Sequence, residues 1–157
     1  MRRRKTKAVL AFIAAAVTTF LLASINHTLF VLHELAELGI AISTSIRMQA
    51  ISGDMAGLLP GYGAVISLGL LLAFTFLKFI SKKLVNQPNP QWYWWGLAGG
   101  FTLFSALMLM QPLLNITLIA GARSDFGFAM QCLSGVCGGV IYGMLRPQTP
   151  IAGEKEL

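Results

Sequence analysis

The segment from His33 to Glu37 contains the residue types that come closest to a catalytic or metal-binding motif. It reads His-Glu-x-x-Glu, with His33 and Glu37 one helical turn apart. A zinc hydrolase helix uses His-Glu-x-x-His, in which two imidazoles hold the metal and the glutamate activates water. The second histidine is missing here, and His27 lies roughly 120° away from His33 around a continuous helix. The sequence therefore predicts no metal site.

Cofactor chemistry has equally little support in the sequence. Two histidines on one helix at the spacing of His27 and His33 cannot clamp a haem iron from both sides. Cys132 and Cys137 are five residues apart, about 140° around a helix, unlike the Cys-x-x-Cys of thiol oxidants. We therefore expect two buried free thiols and no cofactor. Phosphate-binding glycine loops and serine nucleophile motifs do not occur in the sequence.

A larger set of polar and charged residues maps to one side of the predicted topology and forms the only candidate site. These residues could surround the outer mouth of a pathway or bind a ligand. They could equally face water and lipid headgroups, with the arginines pairing with the acids as structural contacts. Both interpretations stay open, and the set comprises Asn26, His27, His33, Glu34, Glu37, Arg47, Asp54, Asn115, Arg123 and Asp125.

Four apolar stretches must position these residues. They cover residues 8–32, 57–77, 92–112 and 126–145, each close to the ~20 residues that a helix needs to cross ~30 Å of hydrocarbon. The chain is 55% hydrophobic and 11% charged, against roughly 25% charged residues in a soluble domain. The sequence predicts an all-α, polytopic membrane protein: one four-transmembrane-helix bundle over residues 1–146, followed by a flexible tail over 147–157.

The basic residues predict the orientation, because lysine and arginine favour the cytoplasmic side of short loops. With the amino terminus inside, ten basic residues are cytoplasmic and only Arg47 and Arg123 are outside. We therefore expect both termini in the cytoplasm of a bacterial-type inner (plasma) membrane. The net charge of +6 is spread over three segments, so it indicates contact with membrane lipid and predicts no nucleic-acid partner.

Residues 28–51 continue the helical pattern beyond the first span. Asn26, His33, Glu37 and Thr44 fall within about 40° of one another at 100° per residue, which makes this segment amphipathic. A fifth span here would place the lysines near residue 80 outside, against the charge rule. The sequence thus predicts an amphipathic helix on the outer surface between spans 1 and 2, which could bend or end at Gly39 or Gly53, with Asp54 capping the next span.

The two halves of the chain share an order of features that suggests a duplicated helical hairpin. Gly39–Arg47 and Asn115–Arg123 align without gaps and both end on arginine, and an aspartate follows in each half. Because both hairpins start on the same side, a parallel repeat is the form implied. Trp92-Tyr93-Trp94-Trp95 opens the third span and is expected to anchor it at the interface.

Glycines at four-residue spacing indicate helix packing. Small residues on one face let helix backbones approach closely in lipid, where no hydrophobic force drives association. Those faces can meet within one chain or between chains, so the sequence allows a homo-oligomer or a partner membrane protein. The predicted packing residues are Gly57, Gly61, Gly96, Gly100, Gly135, Gly139 and Gly143.

Three functions are compatible with this pattern. The first is a non-catalytic accessory module that binds lipid or a partner and assembles through its glycine faces. The second is an oligomeric transporter or channel with a polar outer mouth, although coupled carriers usually place a charge at midspan and none occurs here. The third is a membrane-embedded enzyme working at the outer leaflet through His33 and Glu37. We expect the first.

Overall fold

The described chain is helical. The computed structural model describes residues 2–83, 89–114 and 124–148, and these contain no strand. The all-α prediction is confirmed, and four helical stretches are long and apolar enough to cross a membrane. The helices are α1 (Arg2–Glu37), α2 (Thr44–Leu58), α3 (Ala64–Lys83), α4 (Trp92–Leu114) and α5 (Asp125–Leu145).

Helices α2 and α3 form one helical stretch joined by a π turn at Leu59–Gly63. Pro60 lies in this turn. Proline lacks an N–H and its ring clashes with the carbonyl four residues earlier, so an α-helix must bend or widen around it. A π turn adds one residue to the helical repeat and removes that conflict. It also directs Tyr62 into the bundle, where its side chain is buried.

Charge divides the bundle into two ends. The basic end holds the start of α1, the end of α3 and the end of α5, and it contains every described lysine and arginine except Arg47. The acidic end holds the end of α1, α2 and the start of α5. All described acids lie there: Glu34, Glu37, Asp54 and Asp125.

The first two helical stretches extend well past the other two at the acidic end. Helix α1 has 36 residues and is ~54 Å long, whereas α5 has 21 residues and is ~31 Å long. The Phe30 ring contacts Phe126 at the start of α5, with 5.7 Å between ring centroids. Chain beyond this level therefore projects from the bundle, and we name residues 31–52 the projecting hairpin.

The turn of the projecting hairpin has a defined helix stop. Gly39 adopts φ +83°, the left-handed conformation that favours glycine after a helix. Its N–H donates to Ala36 O at 3.0 Å, and the Ile40 N–H donates to Leu35 O at 3.3 Å. These two bonds form a Schellman motif. Ser43 then caps α2 by accepting from the Ile46 N–H at 3.4 Å, so the bend expected at Gly39 is where the helix ends.

The predicted amphipathic segment is therefore helical but not one helix. Residues 28–51 are divided between the end of α1 and the start of α2. Asp54 does not cap the second span, and that prediction is wrong. It lies inside α2, eleven residues after the Ser43 cap. The helix begins at Thr44, well before the apolar residues of the second span.

Helix α5 packs closely on both α4 and α1, and α3 packs on α4. A Cβ added at Gly99, Gly135 or Gly139 would come within 3.0 Å of backbone atoms of the facing helix. Gly138 has the same relation to Ala15 and Thr19 of α1. The backbones of α5 and its two neighbours are thus in direct contact, which only glycine permits.

Aromatic rings fill the basic end of the core. Phe74 stacks on Tyr142 with ring centroids 4.4 Å apart, and Trp95 meets both rings edge to face. The Arg146 guanidinium lies 4.7 Å from the centroid of Trp95 and donates to Pro90 O at 2.5 Å. Burial lowers the pKa of Arg146, and Tyr142 opposes that shift.

The aromatic run at the start of α4 has two roles. Trp92, Tyr93 and Trp94 are exposed, as an interfacial anchor requires, whereas Trp95 is 1% exposed and belongs to the core. Its indole N–H donates to Pro90 O at 3.3 Å. The expected anchor role therefore fits Trp92, Tyr93 and Trp94, whereas Trp95 packs in the core.

The two helical hairpins are not packed alike. Helices α4 and α5 contact each other along their length, whereas α1 and α3 contact each other sparsely. The segment 115–123, on which the repeat alignment depends, lies outside the described residues. The duplication stays a prediction.

Replacing Gly139 by leucine should destabilise the bundle strongly. The new side chain would collide with Trp95 O and the Gly96 backbone, and neither can move without separating α4 from α5. We expect a loss of at least about 3 kcal/mol in the free energy of unfolding, measured by reversible denaturation in detergent micelles. Ser52→Leu is the control, because it adds the same side chain at an exposed position of α2. Equal stability of the two variants would contradict the packing described.

Candidate functional site

A chain of hydrogen bonds connects three helices inside the bundle. The Tyr62 hydroxyl donates to Gln131 Oε1 at 3.1 Å. The Gln131 side-chain amide in turn donates to Ala23 O at 3.0 Å. Gln131 is 0% exposed, so a side-chain amide without hydrogen-bond partners would be costly at this position. These bonds connect the π turn, α5 and α1 and fix their relative heights.

A second group of bonds joins α1 to α5 close to the first. The Asn26 amide donates to Ser134 Oγ at 3.1 Å, and the Ser134 hydroxyl donates to Met130 O at 3.0 Å. Asn26 also approaches Met130 O at 3.5 Å. The side chain of Asn26 thus serves α1–α5 packing, although the sequence places it with the candidate outer residues.

The third contact joins α1 to α2 at the base of the projecting hairpin. The Thr28 hydroxyl lies 2.8 Å from Asp54 Oδ2 and 3.1 Å from Ser24 O. A hydroxyl has one proton, so it donates to one of these oxygens at a time. The His27 imidazole interacts electrostatically with the Asp54 carboxylate. Asp54 therefore receives its contacts from two consecutive residues of α1.

We name these six side chains the polar chain: Asn26, Thr28, Asp54, Tyr62, Gln131 and Ser134. They form three hydrogen-bonded pairs, Tyr62–Gln131, Asn26–Ser134 and Thr28–Asp54. Their chemistry is that of amides, hydroxyls and one carboxylate, and no activated nucleophile is among them. Two neighbouring hydroxyls, of Thr19 and Ser24, are buried without a hydrogen-bond partner in the described part of the chain.

The remaining candidate residues are not brought together. The His33 Nε2 lies 3.4 Å from Glu37 Oε1, and both side chains are largely exposed, at 71% and 69%. Glu34 and Arg47 are exposed on the same projecting hairpin, and Asp125 is exposed in the first turn of α5. Asn115 and Arg123 lie outside the described residues. Within the described ranges no three His, Cys, Asp or Glu side chains are grouped as metal ligands would be.

Sequence reasoning did not single out Tyr62 or Thr28 as site residues. The hydrogen-bond partner of Tyr62, Gln131, is 69 residues away in sequence, and the inward direction of Tyr62 depends on the π turn. Gln131 carried a detectable signal, because a lone amide among apolar residues in a span needs an internal partner. The sequence alone could not identify that partner.

The predicted packing glycines fall into two groups. Cβ atoms at Gly96, Gly100, Gly135, Gly139 and Gly143 would each come within 3.0 Å of the neighbouring helix. Cβ atoms at Gly57 and Gly61 would meet nothing within 4 Å. The closest approaches also use Gly99 and Gly138, which lie outside the four-residue series on which the prediction rested.

Three open grooves follow α3, which contacts α1 only sparsely. A groove of about 690 Å³ lies between α3 and α4 and has apolar walls, including Leu72, Phe76 and Phe101. A cleft of about 380 Å³ lies between α1 and α3 near the basic end. A smaller one of about 290 Å³ separates the same two helices near the π turn. All three open to the side of the bundle.

Comparison with known proteins gives no relative from which a role could be transferred. No protein-family model, no curated protein and no solved structure matches this chain.

The Tyr62–Gln131 bond should be measurable as a coupling energy. Gln131→Leu removes two bonds and leaves the buried Tyr62 hydroxyl unpaired, so we expect a loss of about 1–3 kcal/mol. In a Tyr62→Phe background the same change should cost about 0.5–1.5 kcal/mol less. Unfolding in micelles is the measurement.

Tyr93→Phe is the control for this cycle, because Tyr93 is an exposed tyrosine of α4. Its effect should stay within about 0.5 kcal/mol. Additive effects of Tyr62→Phe and Gln131→Leu would contradict the hydrogen bond.

Proposed function

We propose that the protein is an integral membrane module without a catalytic centre of its own, which associates with a second copy of itself through the exposed glycine face of α2. In this proposal the four apolar helical stretches cross a bacterial-type inner membrane. Both termini and the basic end face the cytoplasm, and the projecting hairpin lies at the outer surface.

Membrane insertion is supported by the large apolar side chains on the outward faces of the bundle. Large apolar side chains such as Leu68, Phe76 and Phe101 are exposed along the sides of the bundle. A soluble protein rarely exposes apolar patches of this extent. Polar backbone groups are satisfied within helices, as hydrocarbon requires.

The orientation is supported by the separation of charge. Lysines and arginines concentrate at the basic end, which positive residues favour on the cytoplasmic side. The described acidic residues lie at the opposite end. This arrangement gives the projecting hairpin an aqueous position outside the membrane.

The glycine face of α2 is the observation that carries the proposal. Gly53 and Gly57 of α2 and Gly61 of the π turn that follows come at four-residue steps, so the first two share one side of the helix and the third continues it. Each is exposed, and a Cβ at any of them would meet no atom within 4 Å. The glycines of α4 and α5 are already occupied by each other, whereas this face has no partner within the described chain.

Self-association through such a face is physically plausible because small residues permit close backbone contact between helices. Helix α2 has no buried residue of its own, so association would cover a surface that the bundle leaves bare. The same glycine spacing, when it occurs twice in a symmetric dimer, is self-complementary. A second copy is therefore the partner to which we commit.

The alternatives are less well supported. A pathway needs polar side chains that line a lumen, whereas Tyr62, Gln131 and Asn26 bond to other groups within the bundle. An enzyme needs a water-excluding site, and His33 and Glu37 are largely exposed. The module requires neither feature.

Gly57→Leu should weaken self-association at least about tenfold while leaving the monomer folded, because a leucine would hold the two backbones apart. Association is measured as the dimer fraction against the protein-to-lipid ratio in bilayers, by energy transfer between labelled copies. Ser52→Leu is the control. It adds the same side chain at an exposed position of α2, about 140° from the centre of the glycine face.

A wild-type protein that stays monomeric at every ratio would contradict the proposal. Equal weakening by Ser52→Leu would contradict the assignment of the interface to this face.

A further inference from the structure

The cleft between α1 and α3 at the basic end is open because these two helices contact each other sparsely. Its walls come from both helices and from Tyr142 of α5. Apolar side chains predominate, and one lysine lies at the mouth. We name it the α1–α3 cleft, lined by Ala8, Val9, Phe12, Leu71, Phe74, Thr75, Lys78 and Tyr142.

The floor of the α1–α3 cleft is rigid. Phe74 stacks on Tyr142 at 4.4 Å and meets Phe12 edge to face at 6.4 Å. Phe74 is also 4% exposed and part of the core. Packed rings cannot close the cleft by changing rotamer, so the space persists without an occupant.

Three lysines point along the faces that form the α1–α3 cleft. On α1, Lys5 projects between the directions of Ala8 and Val9, one turn nearer the helix start. On α3, Lys78 belongs to the wall itself, and Lys82 follows it one turn later on the same face. No described acid lies at this end to neutralise them.

We propose that the α1–α3 cleft binds one anionic phospholipid of the leaflet at the basic end. One acyl chain lies against Val9, Leu71 and the aromatic floor. The headgroup phosphate lies among the ammonium groups of Lys5, Lys78 and Lys82. Basic pockets between membrane helices on the cytoplasmic side suit such headgroups.

The length of the α1–α3 cleft favours a lipid over a helix. On α3 its wall runs from Leu71 to Lys78, which is ~11 Å of helix. One leaflet of a bilayer contributes ~15 Å of hydrocarbon, so the cleft fits within a single leaflet. A transmembrane helix would require a groove across both leaflets.

The volume fits part of one acyl chain. About 380 Å³ is roughly twelve times the ~30 Å³ that a water molecule occupies in the liquid, and a methylene group is of similar size. The cleft therefore accommodates the headgroup-proximal part of a chain, and the rest continues along the outside of α1 and α3.

This inference deepens the lipid-contacting side of the proposed function and rests on insertion in a membrane. It does not depend on self-association, because the α1–α3 cleft and the glycine face of α2 lie at opposite ends of the bundle. A failure of the lipid site would appear in the retained lipid and a failure of the dimer in the dimer fraction, so the two failures are distinguishable.

The test compares two double variants with the same change in charge. Lys5→Gln with Lys82→Gln removes one lysine from each cleft face. Lys7→Gln with Lys83→Gln also removes one from each helix, but these lie more than about 100° from the centre of the cleft face. Each protein is extracted from bilayers of equal phosphatidylcholine and phosphatidylglycerol, and retained lipid is counted by native mass spectrometry.

We expect the wild type and the Lys7/Lys83 variant to retain one phosphatidylglycerol within twofold of each other. The Lys5/Lys82 variant should retain it at least tenfold less, since each lysine near the headgroup contributes about fivefold. Equal retention by the two variants, or preference for phosphatidylcholine, would overturn the proposal and leave only non-specific attraction by net charge.

A second measurement tests the position of the acyl chain in the wild-type protein. Phosphatidylglycerol with a photoreactive group near the start of one acyl chain is crosslinked in bilayers, and the modified residues are identified. Labels on Val9, Phe12 or Leu71 are expected. Labels mainly on Leu72 and Leu97 of the α3–α4 groove would overturn the assignment to the α1–α3 cleft, even if lipid retention still depended on Lys5 and Lys82.

Discussion

Backbone contact between α5 and its two neighbours is the constraint on which the rest of the structure depends. Gly99 meets Gly135 directly, and Gly138 meets α1 at Ala15. Helices this close bring many backbone and side-chain atoms into van der Waals contact, the main attraction available between helices in hydrocarbon. Once α1, α4 and α5 form this compact unit, α3 is left with fewer contacts. The open grooves beside α3 follow from that unequal packing.

The polar chain adds specificity to this packing. Hydrogen bonds between helices in a membrane average ~0.6 kcal/mol, so Tyr62, Gln131 and Asn26 add little to the total stability. Their effect is on register, because a shift of α1 against α5 by one residue would leave buried amides without partners. Glycine contacts thus determine how close the helices lie, and the polar chain determines their relative height.

The sequence predicted the helical class and the four apolar stretches, since these depend on local pattern, and it named Gly39 and Gly53 as places where the helix could bend or end. The helix ends at Gly39, whereas Gly53 lies inside α2. The sequence did not predict that α1 and the helix starting at Thr44 extend past the bundle as a hairpin, because amphipathic periodicity is the same for a surface helix and a projecting one. Of the candidate site residues, Asn26 and Asp54 each proved to have a hydrogen-bond partner on another helix. Their partners could not be foreseen, because the contacts of Tyr62 and Gln131 depend on how distant helices dock.

The unbroken helical stretch from Thr44 to Lys83 has a consequence for regulation. It carries bare glycines in its first half and a wall of the α1–α3 cleft in its second half. Suppose that an occupant of either site prefers one tilt of this stretch. Thermodynamic reciprocity then requires occupancy at one extremity to alter affinity at the other by the same factor. Bilayer composition at one surface would in this way be communicated to assembly at the opposite surface.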